Sequence, residues 1–354
     1  MTSKHSAKLG KLLLRTGFIH QIKKNGVGVF VNGPNGALLR QNIFKTWWDR
    51  MVSKSESSFP VYGQNIDPLQ LYPHILELQS ENVPFSIVYT PQISTHNTSI
   101  DNELQKFLIF NEETCLHFNH FCSPASVNQI YDQVVNCRLS WWKQYSCKAS
   151  NFTTKNISED NTRPGLHIQY KFPWGPVTIE TINNLGQDNI EQIHEETGKQ
   201  CKFHNGKKAV YPYQIECRST IEMAMAVFLN DAYKVTENNS EVLQLHPAIA
   251  SFKVAILRDG EKRRQIQEVT TYIGRELRKN GLQIIDTQDR ETSFNKQIAR
   301  HDEMGIPFTV IVDDSTIDTG AIRLRNRDTT IKETLAINKL VHYVTRHVTY
   351  DTSS

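Results

Sequence analysis

The sequence predicts two domains of different class: an α+β domain with an antiparallel sheet over residues 26–240, and an α/β domain over residues 247–350. Three observations lead there. A chain of 354 residues divides into roughly two units of about 150 residues. From Phe252 onward, short apolar strands alternate with helical segments, the pattern of a mostly parallel sheet covered on both faces. Before Thr236 the apolar runs are scattered among longer loops and helices, which fits an antiparallel arrangement.

In chain order, the first element is basic. No acidic residue precedes Asp49, and Lys4, Lys8, Lys11 and Arg15 recur at helical spacing beside Leu9, Leu12, Leu13 and Leu14. Two readings are open for residues 1–25: a mitochondrial import segment or an ordinary first helix. They overlap, because Leu12 to Ile19 also reads as part of a folded domain. Ser53 to Ser58, Ser150 to Gly165 and Thr236 to Glu241 read as exposed loops. In the second domain Phe252 to Leu257 reads as a strand. Glu261 to Asn280 reads as a helix with Ile266, Val269, Ile273 and Leu277 on one face and Gly281 as its stop. Leu282 to Ile285, Pro307 to Val312 and Ala321 to Leu324 read as strands. Ser293 to Met304 reads as a helix, and Thr330 to Thr345 as a closing helix that Asp328 caps.

Composition narrows the function classes. Forty basic against 37 acidic side chains leave +3, so a nucleic-acid role must rest on local patches. No apolar run approaches 18 residues, which excludes a membrane-spanning helix. The six cysteines contain no CxxC pair, so free thiols in a reducing compartment are expected. His194, His204 and His246 have no metal-ligand spacing with Cys201, and no metal or other cofactor is expected.

Four stretches carry a resemblance. Gly33, Pro34, Gly36, Leu39 and Asn42 form a GPxGxxLxxN turn that runs into Trp47 and Trp48. Arg138, Trp141 and Trp142 are followed by Phe172, Pro173, Trp174 and Gly175, then Glu180 and Asn184 to Gly186. Pro212 to Glu216 leads into a helix reaching Tyr233. His301 to Phe308 precedes Arg323 to Asp328. In this order, over about residues 30 to 345, they resemble the glycyl branch of the class II aminoacyl-tRNA synthetases. That resemblance implies a class II synthetase-like antiparallel-sheet domain followed by an anticodon-binding-like mixed-sheet α/β domain.

The same resemblance implies where adenylation chemistry would sit. Class II enzymes hold the ATP phosphates with a motif 2 and a motif 3 arginine, because the transition state concentrates negative charge there. Counting from Pro84 and Phe85, the expected FRNE falls on Ser94 to Asn97, with Thr95 at the arginine and Asn97 at the glutamate. The expected EPSxGxxR falls on Glu216 to Met223, with Thr220 at the glycine and Met223 at the arginine; Arg218 comes five residues early. Each lost arginine removes several kcal/mol of transition-state stabilisation. The expectation is a synthetase fold with no catalytic residues, kept for binding.

One family of such relatives is the accessory subunits of mitochondrial DNA polymerase gamma. The chain resembles it over Pro34 to Pro60, Arg138 to Phe152, Tyr170 to Gly186, Leu245 to Pro247 and Arg323 to Leu340. The resemblance implies a noncatalytic processivity subunit of the mitochondrial matrix nucleoid. Its partners would be the catalytic polymerase subunit and primer-template or double-stranded DNA, with the main contact on Phe252 to Thr345. Vertebrate members carry a long helical insertion that builds a homodimer. Here Val61 reaches Pro84 in about two dozen residues, too few for two helices of roughly 12 residues, so no stable homodimer is expected. The alternatives are a mitochondrial glycyl-tRNA synthetase with degenerate motifs, or a tRNA-binding relative.

Individual residues carry competing readings. Trp47, Trp48, Trp141 and Trp142 are base-stacking platforms or core. Lys207 and Lys208, in a Gly/Asn/Lys-rich loop, touch phosphate or lie on a solvated turn. Arg263 and Arg264 belong to a segment from Arg258 to Lys279 with local charge +3, open to polymerase contact, DNA contact or a plain exposed helix. Arg323, Arg325 and Arg327 alternate on or beyond a strand, sharing a face while Leu324 turns inward; this edge is expected to face the partner.

Overall fold

The computed structural model describes residues 2–24, 27–61, 67–94, 112–157, 163–261, 263–286 and 292–348. Two sheets organise it. The larger has the strand order Ser58–Val61, Phe85–Tyr89, Glu112–Cys122, Tyr213–Thr220, Gly175–Gly186, Gly165–Phe172, Phe152–Asn156. Its first pair is parallel and the others are antiparallel.

Alternation along the strands gives this sheet two unlike faces. Ile168, Tyr170, Phe172, Ile182, Ile215 and Cys217 join a buried core with Leu39, Trp47, Trp141, Trp142, Ala224 and Phe228 from the helices Pro34–Trp48, Val127–Gln144 and Ile221–Ala232. Inside that core lies a buried ion pair. Arg138 Nε donates to Glu180 Oε1 at 2.6 Å and Nη2 to Oε2 at 3.2 Å, while Trp142 Nε1 donates to the same Oε2 at 2.5 Å. Trp141 and Trp142 are both fully buried, Trp47 is buried and Trp48 packs at the margin; these rings are core, not stacking platforms.

The GPxGxxLxxN turn has a steric cause. Gly33 N donates to Phe18 O and Asn35 N to Gly17 O. A Cβ on Gly33 would sit 2.3 Å from Gly17 O, and one on Gly36 2.1 Å from Phe18 O, so only glycine permits the approach. Pro34 opens the helix where its missing N–H goes unused. Asn42 then reaches the domain junction, donating through Nδ2 to Ala250 O at 2.8 Å.

The helix Thr2–Arg15 is part of the folded body. Leu12, Leu13, Phe18 and Ile19 lie in the large core, and Arg15 bonds Glu241 at 2.8 Å and Glu303 at 2.9 Å. Excision of residues 1–25 would strip these groups from the core.

The second sheet is mixed, in the order Ile284–Ile285, Val254–Asp259, Phe308–Asp313, Ala321–Asn326, Lys332–Ala336; the first three strands are parallel and the last two antiparallel. Helices Arg263–Lys279 and Ile337–Val348 cover one face through Ile266, Ile273, Leu277, Leu340 and Val344. The closing segment differs from expectation. Residues 332–336 form a strand paired with Ala321–Asn326, and the helix starts only at Ile337. The hairpin satisfies backbone groups that a helix would otherwise pair, and Thr330 takes a positive φ of 59° in its turn. Asp328 caps no helix there; it pairs with Arg327. The Ser150 to Gly165 stretch is also not all loop, since Phe152–Asn156 is the edge strand; residues 158–162 lie outside the described residues.

Candidate functional site

The other face of the large sheet is covered at one end, where Phe85, Ile87 and Phe121 pack with Tyr72 and Ile190, and is polar beyond it. Cross-strand pairing places Tyr89 beside His117, and both Asn119 and Asn183 opposite Glu216; Arg218 lies between His117 and Thr181. Glu216 is buried, yet Arg218 extends outward and bonds it, Nη2 to Oε1 at 2.7 Å. The two are i and i+2 on one strand and so share a face. Burial, and secondarily the Arg218 charge, push His117 down to about 4; burial and Glu216 push Tyr89 up to about 12. The Nδ1 of His117 is buried with no partner among the described residues.

This face is where adenylate chemistry would sit. Thr220 caps the helix Ile221–Ala232, its hydroxyl accepting from Met223 N at 3.1 Å. Met223, where the resemblance expects the motif 3 arginine, carries a half-buried thioether, and a thioether offers a phosphate neither charge nor donor. Arg218 is committed to Glu216. Arg40 of the GPxGxxLxxN helix is committed to Glu222 at 3.2 Å and Thr114 Oγ1 at 2.5 Å. Thr95 and Asn97 lie outside the described residues. Among the described residues no group of His, Cys, Asp and Glu side chains could hold a metal ion, and the six cysteines are unbridged.

In the second domain Arg323 and Arg325 do share the face opposite the covering helices, but they are not equally presented. Arg325 is buried and makes a bidentate pair with Asp302, Nη1 to Oδ1 at 2.7 Å and Nη2 to Oδ2 at 2.9 Å. Arg327, also buried, donates to Gly305 O at 2.7 Å and Leu245 O at 2.9 Å and pairs with Asp328. Their side chains are spent inside the chain and at the domain junction. Arg323, 40% exposed, is tied to Asp313 at 2.5 Å. Period-2 alternation located the face correctly but could not show that the helix Phe294–Glu303 and the junction cover one end of it.

Lys207 and Lys208 lie exposed at the tip of the hairpin Phe203–Asn205 and Lys208–Val210. Arg264 is nearly fully exposed and pairs only loosely with Glu268, one turn on, at 3.2 Å. The side chain of Arg263 lies outside the described residues. No hydrogen bond or ion pair among the described residues links Lys207, Lys208 or Arg264 to Arg323 or Arg325. Residues of the domain junction escaped the sequence reading. Lys253 is buried, its Nζ donating to Ala248 O at 2.7 Å and Ala250 O at 2.8 Å. Asn42, the last residue of the turn motif, was the available signal for that junction.

Residues 253–347 match the model of the anticodon binding domain. The chain is 30% identical to the mitochondrial DNA polymerase subunit gamma-2 of Xenopus laevis over 77% of its own length and 61% of the frog protein. It is 25% identical to DNA polymerase subunit gamma-2 of Bos taurus over 89% of its own length and 78% of the relative. It is 28% identical to the glycine–tRNA ligase of Borrelia hermsii over 77% of its own length and 62% of the ligase. The chain thus spans less than two thirds of the frog and spirochaete relatives. It is a relative of the polymerase gamma-2 subunits and of the glycine–tRNA ligases, with an anticodon-binding domain at residues 253–347.

Proposed function

We propose that this relative of the polymerase gamma-2 subunits is a noncatalytic accessory subunit of mitochondrial DNA polymerase. It docks on the catalytic subunit and strengthens its hold on primer-template DNA in the mitochondrial nucleoid. The observation that carries the reading is the state of the open sheet face. Met223 replaces a phosphate-binding cation, and Arg218 is turned onto Glu216. A surface that must stabilise a pentacovalent phosphate needs preorganised positive charge, and here the nearby guanidinium groups are neutralised by carboxylates.

The main docking surface is the anticodon-binding-like domain. Arg323 and the exposed hairpin strand Lys332–Ala336 form the part of the arginine face left open. The assembly is one catalytic plus one accessory chain. Between the strands Ser58–Val61 and Phe85–Tyr89 the described residues hold only a short 3-10 turn and a seven-residue helix, Tyr72–Leu78, too little to build a helical dimer interface.

Primer extension by the catalytic subunit, with and without this chain, tests the reading. Longer products at moderate salt are expected, and unchanged product length would sink it. Glycine-dependent ATP–pyrophosphate exchange separates the ligase alternative, with none expected. Comparative binding of tRNA and primer-template exposes the tRNA-binding alternative.

A further inference from the structure

A second polar feature lies away from both surfaces, in the junction between the domains. A cleft of about 520 Å³ opens between the Pro34–Trp48 helix with its continuation to Ser53, the end of the Val127–Gln144 helix, and the Asn280 to Gln283 segment of the second domain. That volume falls in the range of small-ligand sites. Its lining holds four cations, Lys45, Arg50, Lys54 and Lys253, against a single carboxylate, Asp49. Lys45 has no acidic partner among the described residues, and Asp49 accepts from Ser53 at 3.3 Å.

The lining is rich in donors. Two buried N–H groups on lining residues, Arg50 Nε and Trp141 Nε1, find no acceptor among the described residues, and a buried donor left unsatisfied costs about 1–3 kcal/mol. Lys253 uses two of its three N–H bonds on Ala248 O and Ala250 O. Burial and the nearby charge of Lys45 push Lys253 down to about 7, which places the two ammonium groups within electrostatic reach of each other. A lysine with no acidic partner among the described residues and two unmet donors around one cavity are what a multi-oxygen anion satisfies.

We propose that this interdomain cleft binds a small polyphosphate-bearing ligand, pyrophosphate or the phosphates of a nucleotide. Lys45 and Arg50 supply the main contacts, and Lys253 supplies charge from the cleft wall. A bound anion would tie the GPxGxxLxxN helix to the second domain, adding to the Asn42 bonds that already cross the junction. The site stands independently of whether the chain docks on a polymerase.

Calorimetric titration of the purified full chain with pyrophosphate and, separately, with ATP tests it at low salt. Saturable one-to-one binding is expected. The double variant Lys45→Gln, Arg50→Gln should weaken it at least tenfold, while Lys207→Gln, Lys208→Gln should leave it within twofold. Tighter binding of ATP than of pyrophosphate assigns the site to nucleotides; equal binding assigns it to the phosphates alone. Because the first variant could disturb the junction, lysine acetylation of the wild-type chain followed by mass spectrometry gives a second readout. Pyrophosphate should slow modification of Lys45 relative to Lys207. No saturable heat with either ligand, equal affinity in both variants, an unchanged acetylation ratio, or binding of an acidic peptide but of neither phosphate would each overturn the proposal.

Discussion

The two faces of the large sheet carry similar ion pairs with opposite physical meaning. On the covered face, Arg138 and Glu180 are out of water, doubly hydrogen-bonded, and locked by the Trp142 N–H. On the open face, Arg218 reaches from solvent to a buried Glu216 through one bond. A buried pair is costly to form but far more costly to break, since removing one partner strands a charge in the core. Removing an exposed guanidinium from a buried carboxylate falls between the exposed and the fully buried case. The core pair holds the fold together, whereas the open-face pair mainly neutralises a surface.

The largest way to test this contrast is pH. Burial holds His117, His120, His246 and His301 at about 4, below the usual histidine value. Their folded values are depressed, so the fold favours neutral rings. The stability they contribute is present above pH 6.5 and lost as pH falls toward 4. Denaturant titrations should show a steep drop, on the order of several kcal/mol, across that window. Burial raises Asp302 and Asp286, which works in the opposite sense, and a midpoint unchanged from pH 7 to 4.5 would contradict the assignment.

Next in size, Arg138→Ala should cost about 3–5 kcal/mol in urea unfolding. Arg325→Ala, which strands the half-buried Asp302, should cost about 2–3 kcal/mol. A loss below about 1 kcal/mol for Arg325→Ala would return that side chain to the partner-facing class. Arg218→Ala, which leaves the buried Glu216 without its cation, should cost about 1–3 kcal/mol; a cost equal to that of Arg138→Ala would erase the distinction between the faces. Smallest of all, Lys207→Gln, Lys208→Gln should leave stability within about 0.5 kcal/mol. If this hairpin tip meets DNA phosphate, the same variant lowers the salt slope of primer-template binding by about 2.

Much of the fold was legible along the chain. Gly33, Pro34 and Gly36 are required by a turn pressed on the Gly17–Phe18 backbone, so a local pattern reported a tertiary constraint. The apolar stripe Ile266, Ile273 and Leu277 announced the helix that covers the second sheet. The closing hairpin was misread because residues 332–336 gain their strand only from pairing with Ala321–Asn326, a partner that propensity does not name. The arginine face was half legible for a related reason. Alternation put Arg323 and Arg325 on one side, but exposure depends on what covers that side.

The sequence by itself determined the two domain classes, the class II synthetase-like ancestry, and the absence of an arginine at position 223. These depend on residue identity and local periodicity, which are properties of neighbours along the chain. Only the tertiary structure decided that Arg325 and Arg327 turn into the protein, that Arg218 folds back on Glu216, and that four cations gather at the domain junction. Burial and charge pairing are set by residues far apart in sequence, and an arginine carries the same letter whether it faces a carboxylate, a carbonyl or water.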